Sequence, residues 1–307
     1  MSHVIHQLLL LFLVMVTGFV AGKLGIMQES FNRGLSKLVL DVTLPAMVIS
    51  AVINNEHTLT QDQVLLLLLL SVVLYVFLIA MAWVFTAVLR VPRDKAGLYR
   101  YLFIFSNIGF LGFPVVSAVF GEGAVFYASV FQIPFCFLTY TLGISLIAGH
   151  ENIHSPVKAL LQPGVIAPLL ALILYLLNVP VPSLIGDFVQ TLGSITTPAA
   201  TLIVGATIAG LPIRKLIGHW RLYPLSLLKL IAFPLLLWVM LRGFISDPVM
   251  LGVTVILCGM PVASNATMIC HEYGGDAQLS AAGVMISTVL SLVTIPLLAW
   301  ILLGGAA

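Results

Sequence analysis

Charge is what this chain has least of. Of its 307 residues only 8% are Asp, Glu, Lys or Arg, whereas 61% are hydrophobic and the mean hydropathy is +1.16. Soluble domains keep roughly a quarter of their residues charged, so that class is excluded. Cysteine is scarce too. Cys136, Cys258 and Cys270 all fall in apolar runs, and three thiols cannot complete a disulfide framework, so they read as small packing residues. H-E-x-x-H, G-x-G-D and G-x-S-x-G are absent, which removes the motifs an intramembrane protease or metalloenzyme would need. An enzyme is not expected, nor a cofactor. His150 and His154 have a helical metal spacing but no further ligand nearby, so no metal site is expected. The basic n-region of a signal peptide is missing as well, and the first apolar run, continuing to Ala21, reads as a retained span.

Long apolar runs fill the space these absences leave. A membrane span needs roughly 20 apolar residues. Runs of that kind lie near 4–22, 34–53, 63–89, 97–119, 123–148, 162–178, 187–210, 222–243, 249–271 and 277–303. Ten spans leave short loops and no room for a sizeable soluble domain. The loops alternate between two faces, and eleven of the thirteen basic residues, from Lys23 to Arg221, fall on one of them. Arg242 is on the other, and Lys229, inside the eighth span, is expected to snorkel to the cytoplasmic side. The positive-inside rule makes the basic face cytoplasmic and puts both termini outside. A net charge of +2 then reflects loops facing anionic lipid, not a nucleic-acid partner.

Two spans are interrupted. Ser106-Asn107-Ile108-Gly109-Phe110-Leu111-Gly112-Phe113-Pro114 and Gly259-Met260-Pro261-Val262-Ala263-Ser264-Asn265 each set proline, glycine and a Ser-Asn pair inside an apolar run. Free backbone groups are costly against lipid, so such segments survive around a polar cavity or where neighbouring helices repair them. One such segment alone reads as a kink, and Gly109 to Gly112 as close helix packing. Two of them in corresponding halves point to the substrate site of a secondary transporter.

A shift of 153 residues relates the halves. Thr43, Pro45 and Ala46 fall on Thr196, Pro198 and Ala199, while Gly121 and Ala124 fall on Gly274 and Ala277. Five spans per half would invert the second unit, giving repeats over 1–148 and 162–307 joined by a cytoplasmic connector at 149–161. Under the same shift Pro114 meets Thr267 and Pro261 meets Ile108, so the breaks are not copies of each other.

A helix broken at mid-membrane exposes amide N–H groups at one half-helix start and carbonyls at the other half's end. The first attract an anion, the second a cation or proton donor. Asn107 and Asn265 can donate and accept, which suits a carboxylate that must be held and released. Ser106, Ser264 and Gly109 join them as substrate-binding candidates, although the serine hydroxyls can instead satisfy their own helix carbonyls. Pro114, Pro261 and Gly112 are the helix-breaking candidates. Asp41 follows Lys37 by four residues, so an intrahelical ion pair is expected, with a coupling-ion or proton role as the alternative. Gln132, Gln190 and Thr196 are candidates for lining the cavity or supporting its ligands.

Asn107-x-Gly-x-x-Gly-x-Pro114, Met260-Pro261 followed by His271-Glu272-Tyr273-Gly274, and Pro296 together resemble the auxin efflux carrier family, which includes the plant PIN carriers. The resemblance implies an all-α fold of ten transmembrane helices in two inverted five-helix repeats, similar to bile acid/sodium symporters. It also implies that helices 4 and 9 cross at their prolines, with the substrate carboxylate near the crossing. The long cytoplasmic loop of many plant members is absent here, and bacterial members are often described as carriers of malonate or other small organic acids. The expected protein is a secondary carrier of small organic anions in the cytoplasmic membrane, working by an elevator or rocking movement, with proton or sodium coupling left open. Spans 3–5 and 8–10 would move against a scaffold of spans 1, 2, 6 and 7, through which two copies can pair as a homodimer. A channel or membrane sensor on the same scaffold is the alternative.

Overall fold

Apolar runs with few charges become helices because lipid offers the backbone no hydrogen-bond partners. The computed structural model describes residues 2–53, 60–148, 163–177, 179, 181–210 and 218–304, and every named element in it is helical. The expected connector 149–161, the loop histidines His57, His150 and His154, and the basic residues Lys158, Arg214 and Lys215 lie outside the described residues. Among the described residues, seven helices are long and apolar enough to cross a membrane: His6–Lys23, Glu29–Ile53, Asp62–Val88, Ala124–Ile147, Ser183–Gly210, Leu222–Leu241 and Ala277–Leu302. Three shorter apolar helices, Ile108–Phe120, Val165–Leu176 and Pro248–Cys258, accompany them.

The first half runs through α1 (Ser2–Lys23), α2 (Glu29–Leu38), α3 (Leu44–Ile53), α4 (Gln61–Val88), α5 (Arg93–Ile104), α6 (Phe113–Phe120), α7 (Ala124–Leu138) and α8 (Ile144–Ala148). The second runs through α9 (Pro163–Leu176), α10 (Ser183–Ser194), α11 (Thr196–Gly210), α12 (Leu222–Leu227), α13 (Phe233–Leu241), α14 (Pro248–Cys258), α15 (Ala266–Tyr273) and α16 (Ala277–Gly304). At the 153-residue offset α6 lands on α15, and the first residue of α7 on that of α16. Each of these turns follows a glycine with positive φ, Gly121 at 88° and Gly274 at 78°. That backbone region admits glycine without a Cβ penalty, and it ends both preceding helices.

Several spans contain a π-helical turn. Val39–Thr43, Ile108–Gly112 and Leu228–Ala232 each lie two residues before a proline, namely Pro45, Pro114 and Pro234. Proline offers no N–H and its ring crowds the carbonyl four residues back, so the helix ahead of it widens. Leu44 accordingly donates to Val39, and Phe233 to Leu228, both five residues back. The wider turn also moves Asp41 off the face of Lys37. The expected Lys37–Asp41 ion pair is not among those formed by the described residues, whereas Glu29 and Arg33, in regular helix, meet at 3.0 Å.

The chain divides into two units, each drawing on both halves. The first comprises Met1–Leu69, Ile108–Ile133 and Leu160–Gly210. Here α1 packs on α11 and α3 on α9, pairs that interchange under the 153-residue offset. Gly18 and Gly22 on α1, with Gly205 on α11, bring backbones together so closely that a Cβ at Gly205 would overlap the carbonyl of Met15. Thr196 Oγ1 donates to Thr43 Oγ1 at 3.0 Å, joining two fully buried residues that are themselves 153 apart.

The second unit comprises Leu70–Asn107, Pro134–Ala159 and Leu211–Ala307. In it α5 packs on α8 and α16, α15 packs on α8 and α16, and α13 packs on α14. The partition departs from the expected grouping of whole spans over Ile108–Ile133. That segment belongs to the first unit because α6 packs against α1 and α11.

Candidate functional site

The polar feature of the second unit starts where α5 stops. Phe105 donates its amide to Tyr101, the last bond of the helix, and then turns to an extended conformation at φ −93°, ψ 115°. On the partner segment α14 ends at Cys258, and Pro261 cannot continue it. A Cβ at Gly259 would crowd Leu298 and Pro234, which explains glycine at that helix end. The two interruptions then pair with each other. Asn107 N–H donates to the Pro261 carbonyl at 2.8 Å, Ala263 N–H donates to the Phe105 carbonyl at 3.1 Å, and Ser106 faces Val262 in an antiparallel bridge. Val262 N–H turns aside to Ser287 Oγ at 3.0 Å, while the Ser287 hydroxyl donates to the Gly283 carbonyl. Each bond avoids leaving a buried group unsatisfied, which costs about 1–3 kcal/mol. The backbone ends expected to be free are therefore largely spent on one another.

Side chains complete the arrangement. Asn107, 4% exposed, donates from Nδ2 to Ser264 Oγ at 3.0 Å. Tyr101 donates its hydroxyl to Asn265 Oδ1 at 3.4 Å. The Tyr101 ring is fixed by Phe105, with centroids 4.6 Å apart, and by Gly143, where any Cβ would strike the ring. Asn265 is the N-cap residue of α15, yet its side chain makes no capping bond to that helix. Its oxygen is turned to Tyr101 instead, and its amide nitrogen is left as the donor face.

Lys229 does not snorkel. It is 1% exposed, and Nζ donates to the Phe103 carbonyl at 2.6 Å, in the last turn of α5. The π turn Leu228–Ala232 points the side chain inward, toward Phe103, whose ring centroid is 5.9 Å from Nζ.

Of the residues singled out from sequence, the second unit thus brings together Ser106, Asn107, Pro261, Ser264 and Asn265. The other proposed site residues belong to the first unit. Gly109 and Gly112 lie in the π turn after the first break, Gly109 facing the Leu40 and Leu44 side chains, and Pro114 sits in the first turn of α6, beyond the interruption. Asp41 is exposed, Gln132 is buried in α7, and Thr196 is occupied by Thr43. A cavity of about 310 Å³ in the first unit is lined by Ser50, Glu122, Gln190, Ser194 and Thr197 among others, and by none of the residues at the joined breaks. Tyr101 and Ser287 were not singled out from sequence. Ser287 belongs to a buried stripe with Ser280 and Ser291 along α16, a spacing of seven and four that the sequence does display.

These features define an all-helical, multi-pass membrane protein with a paired polar break inside it. A family model described as "Membrane transport protein" matches residues 3–299, and the chain belongs to that family, which includes auxin efflux carrier and PIN-like proteins. An "Uncharacterized transporter" of Methanocaldococcus jannaschii is 26% identical over 97% of this chain and 98% of its own. The "Uncharacterized transporter YfdV" of Escherichia coli K12 is 24% identical over 97% of this chain and 96% of its own. A Rhizobium meliloti protein named "Putative malonate transporter" is 25% identical over 66% of each chain. The family and these relatives are transporters, not enzymes.

Proposed function

We propose that the chain is a secondary carrier of small organic anions, carboxylates of the malonate type, that works by alternating access across the cytoplasmic membrane. The observation that carries this reading is the amide pair at the joined breaks. Asn107 and Asn265 each stand where a helix resumes, Asn107 before the π turn and Asn265 before α15. Their neighbours Ser264 and Tyr101 orient them. A carboxylate would take the Asn265 amide and the uncapped first-turn N–H groups of α15, with Asn107 released from Ser264 to donate to it. Such donors favour an anion without a fixed salt bridge, so release remains easy.

The proposed architecture is ten spans in two inverted repeats, 1–148 and 162–307, with both termini outside. The repeat is supported by the coincidence of α6 with α15 at the 153-residue offset and by the Thr43–Thr196 contact, and the placing of the termini rests on the distribution of basic residues alone. The site itself is only pseudo-symmetric, because Asn107 falls on Met260 and Asn265 on Gly112. The malonate class is drawn from the Rhizobium meliloti relative. The test is uptake of labelled malonate into proteoliposomes, with counterflow from preloaded unlabelled malonate. Saturable uptake with counterflow is expected; flux without counterflow would overturn the carrier reading in favour of a channel.

A further inference from the structure

Lys229 is the one Lys, Arg, Asp or Glu fully buried among the described residues, and no carboxylate lies within ion-pair distance of it there. An ammonium buried without a counter-ion is costly, and the acceptor placed to offset that cost is the Phe103 carbonyl at 2.6 Å. That carbonyl belongs to the last turn of α5, where unpaired carbonyls gather the negative end of the helix dipole. Two residues later, Phe105 accepts the Ala263 amide, and two residues beyond that lies Asn107. Aromatic rings and a thiol flank this contact: Phe103 stacks on Phe85 at 5.6 Å and meets Phe233 edge-on at 6.1 Å, and Cys258 lies within electrostatic reach of the amine. Apolar walls of this kind screen a charge poorly, so its field reaches the adjoining break.

The charge is also present once. At the 153-residue offset Lys229 falls on Val76, an exposed residue of α4, so the equivalent place in the first half carries no cation. A side chain meets the half-helix end at α5.

We propose that Lys229 is the positioning residue of the anion site: a fixed buried cation that clamps the end of α5 and biases the adjoining break toward a negatively charged ligand. Without the ammonium, an anion brought to Asn107 would sit near the uncompensated carbonyl end of α5. With it, the dipole end is cancelled and the local potential turns favourable. The proposal rests on the carrier reading for its ligand, but the clamp can be read without one.

The experiment uses the full chain in lipid nanodiscs, comparing wild type, Lys229→Met and Lys229→Arg. Amide hydrogen exchange is followed in peptides covering 101–107 and 260–265, and binding is measured for malonate and for the neutral analogue malonamide. Methionine keeps the length and removes the charge. Loss of a charge-assisted bond predicts about tenfold to a hundredfold faster exchange at the break and malonate binding weakened by about the same factor. Malonamide binding should stay within about threefold, and arginine should restore both readouts. Unchanged exchange in Lys229→Met would overturn the clamp; equal loss of malonate and malonamide would overturn the electrostatic bias and leave a packing role. If wild type binds no carboxylate while exchange responds to Met and is rescued by Arg, the carrier reading fails and the clamp stands.

Discussion

Replacing Asn107 by alanine separates a binding amide from a structural one. Its side chain donates from Nδ2 to Ser264 Oγ at 3.0 Å, while the link to Pro261 runs through the backbone and survives the substitution. Ser264 is only half-buried, so its hydroxyl can regain water. Losing that neutral hydrogen bond costs about 1 kcal/mol. A bond to a carboxylate is worth more, about 1.5–3 kcal/mol, which corresponds to roughly ten- to a hundredfold in affinity. Asn107→Ala should thus lower malonate affinity by about 10- to 100-fold while thermal unfolding of the unliganded protein shifts by only a few degrees. Asn107→Asp should be worse for binding, since it replaces the donor with a like charge. Calorimetric titration with malonate, paired with scanning fluorimetry without ligand, measures both quantities. If Asn107→Ala unfolds easily but binds malonate as wild type does, the amide is structural and the site assignment is refuted.

Four further outcomes follow from particular contacts. Tyr101→Phe removes the hydroxyl that orients Asn265, so malonate affinity should fall several-fold at unchanged expression; equal affinity would show that the 3.4 Å contact does not matter. Thr43→Val or Thr196→Val alone strands a buried hydroxyl and should cost about 1–3 kcal/mol, whereas the double Val variant should recover most of it in a double-mutant cycle of thermal unfolding. Gly205→Ala places a methyl against the Met15 backbone and should cost about 2 kcal/mol or more, while Gly34→Ala on exposed α2, with nothing within 4 Å, should be neutral or slightly stabilising in the same assay. Asp247→Ala removes the N-cap that accepts from Val249 at 2.8 Å and Met250 at 3.2 Å, and should lower stability by about 1 kcal/mol without changing malonate affinity.

The apolar runs and their interruptions were legible because they are local chemistry. Proline lacks an N–H wherever it stands, and a run of Leu and Val in lipid has only the helix open to it. Even so, local reading misplaced the first interruption. The helix stops after Ile104, well before Pro114, because Phe105 and Asn107 find better partners on the segment around Pro261 than in a continued α5. The π turns are hidden for a related reason: Pro114 reads as a break and the spans around Pro45 and Pro234 as regular helix, whereas ahead of all three prolines the turn widens and the helix continues. Lys37 and Asp41 lost their helical register to the same device.

Taken alone, the amino-acid order determined the membrane class, the asparagine-bearing breaks and the 153-residue period that joins Thr43 to Thr196. What only the tertiary structure decided is which groups satisfy which. Asn107 finds Ser264 across 157 residues, Tyr101 finds Asn265 across 164, and Lys229 finds Phe103 across 126. Composition and periodicity act over a few turns of helix and can be read in place. Hydrogen bonds between distant segments depend on which faces packing brings together, and the meeting of Lys229 with the Phe103 carbonyl follows from that packing.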